Sequence, residues 1–441
     1  MLQRPTGDAK LPYSGRVFYG WIVAGIAALA VFMSGPGQTY GVSTFIDPLM
    51  AETGWSRSLV SGLYSGGTLT AGFAMAFIGR QVDRRGYRAM LTALALAFAG
   101  ALLFMSTVRV PATLFLGFVM IRMFGQGSLT LLPTALIPQW FVTRRARALT
   151  VLALGGALSS AALPLVNLSI IAQWGWRSMW VFWSVALALV LAPLAWRYTR
   201  DRPEDVGLRP DGAPAPEASG PKPASGVLDE DAWTVGEAMR TPAFWIILLC
   251  SSIPSMVGTG AQFHHMSIMT TRGVSLTVAA AVFSMSAGVR MAALPVIGYL
   301  CDRLQVKHTL FIGLMLQSVT ILALLAVNST ATAMMVGVFQ GLKLGFLALV
   351  GGLAWPHYFG RRNLASIRGV ATAGMVISSA LGPLPFGLGF DIFGGYTEVI
   401  WLMAAITMVG AVTVLRLRKP QRAAYAAAAS VTDAAESAAP E

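Results

Sequence analysis

Twelve apolar stretches, each about 20 residues long and parted by short polar breaks, constrain this chain more than any other feature. About 20 apolar residues in a helix are what crossing a hydrocarbon layer takes. The stretches fall at 17–41, 58–79, 89–108, 112–137, 148–172 and 176–197, then at 242–270, 276–300, 308–328, 331–356, 367–390 and 396–416. Lipid offers the backbone no water to bond, so a spanning segment is either a helix or a strand of a closed barrel. Runs of this length, rather than about ten alternating residues, select helices. Composition agrees: 12% of the 441 residues are charged and 55% are hydrophobic, whereas a soluble domain carries about 25% charged residues. The expected fold is an all-α membrane protein of twelve transmembrane helices in two pseudo-symmetric six-helix bundles. The first apolar stretch is too long for a signal-peptide core and is read as a retained span.

Charge sorts by side. A net charge of +13 in a soluble protein would point to nucleic acid; its placement here points to a membrane, with no nucleic acid implied. Of the 32 Lys and Arg, 25 fall in the segments that share a side with the N-terminus. Arg57, Arg109, Arg177 and Arg272 fall on the other side, and Arg122, Arg290 and Lys343 lie inside spans. Short loops rich in Lys and Arg stay inside, so both termini are expected in the cytoplasm of a multi-pass cell-membrane protein. The expected organisation is a cytoplasmic segment at 1–16, an N-terminal bundle at 17–197 and a cytoplasmic linker at 198–241 rich in Pro, Gly and acidic residues. A C-terminal bundle at 242–417 and an alanine-rich disordered tail at 418–441 follow. Cys250 and Cys301 are far apart and imply no disulfide framework.

The halves repeat. Gly79, Asp83 and Arg84 recur as Gly298, Asp302 and Arg303; Ser159, Ser160 and Pro164 recur as Ser378, Ser379 and Pro383. Pro138–Phe141 (PQWF) recurs as Pro356–Phe359 (PHYF). Duplicated halves place a transport site between them near mid-membrane, with alternating access by rocking.

The segment Gly79–Arg88 (GRQVDRRGYR) and its weaker partner Gly298–Lys307 (GYLCDRLQVK) resemble the loop signature of the major facilitator superfamily. Within it the chain is similar to the bacterial monocarboxylate-porter and oxalate/formate-antiporter group. The pieces that carry this likeness are Tyr19-Gly20-Trp21, Gly54-Trp55-Ser56-Arg57, Trp140-Phe141 followed by Arg144-Arg145, Asp201–Gly212 and Tyr358–Gly369. The resemblance implies a secondary transporter of a small organic anion working by proton symport or anion exchange. It implies no enzyme, no cofactor and no metal, and a monomer in the lipid bilayer. It also implies that the helix 8 arginine, Arg290, holds the substrate carboxylate.

The residues themselves point the same way. An arginine at mid-span costs roughly 2.5–3.5 kcal/mol on insertion scales, so its retention asks for a function. A guanidinium matches a carboxylate with two hydrogen bonds. Lys343 is equally stranded at mid-span; Arg122, in Arg-Met-Phe-Gly-Gln-Gly, matches a motif that the resemblance ties to helix packing or proton coupling, and is also a candidate for substrate binding. No Asp or Glu lies in any span core, so three unpaired cations are expected to favour an anion. Gln38, Tyr40, Tyr64 and Trp355 are candidates for lining the site. His264 and His265 are candidates for proton coupling, although neighbours on a helix point about 100° apart and at most one faces the cavity. Trp174, Trp176, Trp180 and Trp183 read as interface anchors. Gly79, Asp83, Arg84, Asp302 and Arg303 read as conformational latches. Monocarboxylate porters carry an aspartate where Ser286 stands and a helix 1 lysine that is absent here, which puts coupling through those groups in question. A proton-coupled drug exporter and a membrane sensor are the competing readings. An exporter of cations favours a buried carboxylate, and no appended domain supports a sensor.

Overall fold

The computed structural model describes residues 18–142, 144–212, 233–360 and 364–420; the side chains of some residues within helices, Asp83 and Asp302 among them, also fall outside the description. The expected segment 1–16, much of the linker and the tail beyond 420 lie outside the described residues. All regular structure among the described residues is helical. The N-terminal bundle comprises α1 (Gly20–Met33), α2 (Arg57–Arg85), α3 (Tyr87–Ser106), α4 (Pro111–Trp140), α5 (145–174) and α6 (176–198). The C-terminal bundle comprises α7 (Pro242–Phe263), α8 (Leu276–Arg303), α9 (Val306–Ala323), α10 (Thr330–Phe359), α11 (Leu364–Leu381, continued by Pro383–Phe393) and α12 (Thr397–Leu415).

By length and hydropathy, ten helical stretches among the described residues suffice to cross a membrane, against the twelve expected. Two physical causes account for the difference. Residues 147–198 form one unbroken 52-residue stretch by hydrogen bonding, about 78 Å at 1.5 Å per residue and too long for one crossing. Gly175 breaks it, with φ 80° and ψ 167°, a conformation open to glycine alone. The other cause is α2, whose polar and small residues dilute its hydropathy.

Helix starts follow local chemistry. Ser56, Thr241, Ser275 and Ser329 each accept a hydrogen bond from the backbone N–H three residues on, satisfying a donor that a helix start leaves open. Arg57, expected in a loop, therefore opens α2. Two expected helices are interrupted. The 17–41 stretch breaks at Gly35-Pro36-Gly37, where Gln38 is extended, and resumes as Thr39–Val42 and Ile46–Thr53. The 242–270 stretch breaks at His264 and resumes as His265–Thr271.

The cores form largely within each half, with Phe263 of the second joining the core of the first. Phe45, Tyr64, Phe98, Phe118 and Trp180 are buried in the first, and Phe244, Phe359, Val257, Phe283 and Ile400 in the second. Large apolar side chains such as Phe73, Leu189, Val409 and Trp401 are exposed around the outside, an arrangement costly in water and suited to lipid. The tryptophans near 180 correct an expectation: Trp176, Trp180 and Trp183 are core residues rather than anchors, and only Trp174 of the four is exposed. Trp183 Nε1 donates to Asn167 Oδ1 at 2.8 Å and Trp176 Nε1 to Glu52 Oε2 at 2.8 Å. Their spacing on α6 follows the core-facing stripe.

The halves meet along α2–α11 and α5–α8. The backbone N–H of Ser58 donates to Asp391 Oδ2 at 2.9 Å, and Ser284 Oγ of α8 donates to the Ala161 carbonyl of α5. Arg57 pairs with Asp47 at 2.8 Å and lies 4.5 Å over the Phe390 ring. His264 Nε2 donates to the Pro383 carbonyl and lies 3.1 Å from Ser61 Oγ of α2. At this end Arg177 pairs with Glu52, and hydrogen bonds from Arg177 and Trp176 hold the Glu52 carboxyl below its ordinary value of 4.5. A lowered folded value contributes stability above pH 4.5 that fades as the pH falls through it. The pair is exposed, so the effect is small: melting curves taken between pH 6 and 3 should converge for the wild type and Glu52→Gln, and parallel curves would refute it.

Candidate functional site

The break in α1 builds the first part of the site. Proline and two glycines end the helix early and leave the Gly37 carbonyl free of a helical partner. Arg122, 3% exposed at the start of a wide-turn segment of α4, puts Nη1 3.3 Å from that carbonyl and 3.4 Å from Thr39 Oγ1. Its guanidinium lies 4.8 Å over the Tyr64 ring, and the Tyr64 hydroxyl is 2.9 Å from Thr39 Oγ1. Arg122 is therefore not the unpaired cation expected: the network ties α1, α2 and α4 together. Tyr64 is fully buried between Phe118 and Phe263.

Beside this network the resumed helix presents Gln38 and Tyr40. Gln38 Nε2 donates to Ser34 Oγ at 3.1 Å. Tyr40 donates to Ser159 Oγ at 2.9 Å and packs its ring 6.3 Å from Phe283 of α8, reaching across to the other half. Arg290 stands two turns along α8 from Phe283, within electrostatic reach of Tyr40. It is half-buried, and among the described residues it has no hydrogen-bond or ion-pair partner.

Lys343 builds the second part. It lies midway along α10, 6% exposed, and likewise has no partner among the described residues. It lines a cavity of about 290 Å³ inside the C-terminal bundle between α7, α9 and α10. One wall is polar, with Ser251, Ser255 and Thr259 from α7 and Gln340 beside Lys343; the other is apolar, with Leu324, Leu344 and Leu347. The polar wall was not singled out from the sequence. Its signal was present: Ser251, Ser255 and Thr259 recur every four residues, one face of a helix.

The structure separates residues expected together. Arg290 does not line the Lys343 cavity: it lies against Gly345, whereas Lys343 sits some 200° around α10 from that residue. Trp355 does not line it either; it is buried against Phe244 and Phe359. Of the two histidines, His265 lines the cavity and His264 belongs to the contact between halves. Gly79 and the side chains of Asp83 and Asp302 lie outside the described residues. Arg84 is exposed at the end of α2, and Arg303 stacks 4.5 Å over the Tyr299 ring. Asp47, Glu52 and Asp391 all stand at one end of the bundles, away from both cations.

Two bundles of membrane-length helices, with a discontinuous first helix and a partly polar cavity inside the second bundle, have the architecture of a membrane transport protein. The Major Facilitator Superfamily model matches residues 20–293 and 263–438, and the chain belongs to that superfamily. It is a multi-pass membrane transporter, not an enzyme. A triacylglyceride transporter from Mycobacteroides abscessus is 29% identical over 152 residues, 33% of this chain; the chain thus spans 29% of the length of that curated relative. Among solved structures, nucleoside transporter NupG superposes with a TM-score of 0.70 at 13% identity, covering 92% of this chain and 100% of that one. A D-xylose–proton symporter gives 0.67 at 14% identity, covering 90% and 97%. A bacterial homologue of the human lysosomal transporter Spinster, inward-facing and unoccupied, gives 0.64 at 16% identity, covering 91% and 95%. At these identities the likeness establishes the fold alone.

Proposed function

We propose that this transporter carries a small organic anion, a monocarboxylate foremost, by rocking two six-helix bundles, with Arg290 and Lys343 supplying two separate positive charges along the anion's path. The observation that carries the reading is Lys343, an ammonium almost wholly buried at a cavity wall with no carboxylate beside it among the described residues. A charge held in such a place is expensive unless something pairs with it, and a transported anion is the partner that can come and go. Arg290, also without a partner among the described residues, adds a forked donor near Tyr40 of the N-terminal bundle. Neutralising either charge lowers the cost of the loaded carrier's conformational change, provided the anion binds the two states unequally. Both proton symport and anion exchange are compatible with this chemistry. The reading includes twelve crossings, both termini in the cytoplasm of an inner-membrane protein, a monomeric carrier, and the paired Asp83–Arg84 and Asp302–Arg303 loops as latches.

The test is uptake by purified protein in proteoliposomes of labelled acetate, lactate and benzoate, with and without an imposed pH gradient, alongside xylose and uridine. Carboxylate uptake is expected, and Arg290→Met should insert normally yet lose at least about tenfold of it, the cost of one or two charge-assisted hydrogen bonds. Uptake of xylose or uridine without carboxylate, or carboxylate uptake indifferent to Arg290, would refute the proposal.

A further inference from the structure

We infer that the cavity in the C-terminal bundle selects organic anions that carry a hydrogen-bond donor, so that a hydroxy acid is preferred over its unsubstituted and oxo counterparts. The inference rests on the anion reading above and deepens it.

The proposal starts from His265, which lines the same cavity as Lys343. Its Nε2 lies 2.9 Å from the Ala279 carbonyl oxygen. A carbonyl only accepts, so Nε2 bears the proton, and in the uncharged ring Nδ1 is left as an acceptor that cannot donate. Among the described residues no partner for Nδ1 is present. The ring is held in place by Phe283, 4.5 Å away, so the direction of that lone pair is fixed by packing.

Lys343 faces the same cavity with the opposite character, since an ammonium donates and never accepts. Helical side chains lean toward their helix N-terminus. On α10 that carries the Lys343 ammonium past Gln340 toward Val336, and His265 lines the same cavity. Gln340 is indifferent, because an amide offers a donor or an acceptor as required. The residues lining the cavity therefore include one obligate cationic donor and one imidazole whose remaining nitrogen is an obligate acceptor, with an apolar wall alongside. A carboxylate satisfies the first. Only a ligand hydroxyl, or an amide N–H, satisfies the second; an oxo group presents a lone pair to a lone pair, and a bare alkyl chain leaves Nδ1 dry. Sites built around a substrate hydroxyl discriminate strongly against analogues lacking it, because the protein's own polar group is then left unpaired.

Two matched series test this: propionate, lactate and pyruvate, and butyrate, 3-hydroxybutyrate and acetoacetate. Each is measured as an inhibition constant against labelled lactate and as a direct affinity by calorimetry on purified carrier. The hydroxy acid of each series is expected to bind about tenfold more tightly than its two companions. His265→Phe should compress the spread to about twofold by weakening the hydroxy acid alone, and His265→Gln, which restores an acceptor, should recover it. Carboxylate binding without preference for the hydroxy acid, or a preference that survives in His265→Phe, overturns this inference and leaves the anion reading standing. Failure of the wild type to bind any of the six carboxylates overturns both.

Discussion

Replacing Lys343 with methionine is expected to cut carboxylate uptake at least about a hundredfold while the protein folds, and melts at a higher temperature than the wild type. The two halves of this outcome come from one cause. Lys343 is 6% exposed at mid-helix and has no partner among the described residues, so in the empty carrier its burial is uncompensated; lysine at a helix centre costs roughly 2.5–3.5 kcal/mol on insertion scales. Methionine fills nearly the same volume, removes that cost and leaves no cavity. In the loaded carrier the ammonium has its anion, and losing one member of a desolvated charge pair costs about 2–5 kcal/mol. At 1.4 kcal/mol per tenfold the middle of that range is more than two decades of affinity. Lys343→Arg keeps the charge but spreads it over a planar fork that needs a different pocket, and should retain only part of the uptake. Initial rates in proteoliposomes and melting of the purified variants decide the matter. A methionine variant that transports at the wild-type rate, or one that is unstable, would show that Lys343 serves the helix packing instead.

The fold could be read from the sequence because its cause is one-dimensional: a span is a run of apolar residues, and no tertiary information is needed to find it. The boundaries that failed lay where a local break was overridden or hidden. Gly35-Pro36-Gly37 ends a helix inside an apolar run that hydropathy cannot divide, and Gly175 divides a run that hydrogen bonding alone leaves whole. Site residues were legible by type and less so by direction. Stranded cations stand out in apolar sequence, yet whether a cation is satisfied depends on carbonyls that only the fold supplies. The Gly37 carbonyl, freed by the helix break, is what removes Arg122 from the unpaired set. Arg290 and Lys343 were expected to face one pocket because both are stranded in spans without an acidic partner; they sit on different faces of the α8–α10 contact.

Several residues behind the subgroup likeness turn out to brace one end of the N-terminal bundle. Tyr19 donates to the Tyr198 carbonyl at 2.7 Å, Trp140 Nε1 donates to the Arg200 carbonyl at 3.1 Å, and Asp201 Oδ1 accepts from the Arg88 N–H at 2.8 Å. Asp211 accepts from the N–H groups of Val142 and Arg144. These contacts pin the chain leaving α6 across the helix ends. The likeness they carry is thus one of scaffold, and it says little about which solute fits between the bundles.

The largest structural effect is expected at Gly382, where α7 and α11 touch backbone to backbone. Its own conformation is ordinary, φ −54° and ψ −48°, so any residue could adopt it and the requirement is purely one of space. A Cβ placed there would collide with the Met256 carbonyl oxygen and come within 3.0 Å of the Gly260 nitrogen, while a Cβ on Gly260 would collide with the Gly382 carbonyl oxygen. Neither obstacle is a flexible side chain that can swing aside. Overpacking a core against side chains costs about 1–3 kcal/mol; against two backbones the helices themselves must part, and losses above about 4 kcal/mol come from such mechanisms. Separation at Gly382 would also withdraw the neighbouring Pro383 carbonyl from His264, which reaches Ser61 in the other half. Gly382→Val is therefore expected to yield little monodisperse protein and Gly382→Ala to melt well below the wild type. Gly288→Ala, on α8 with nothing within 4 Å of its added carbon, should melt at the wild-type temperature or slightly above, as alanine in a helix is favoured by about 1 kcal/mol. Size-exclusion profiles and melting of the three variants provide the comparison. Gly382→Val and Gly288→Ala behaving alike would mean that α7 and α11 do not approach at this point, and that His264 is positioned by something other than the glycine pair.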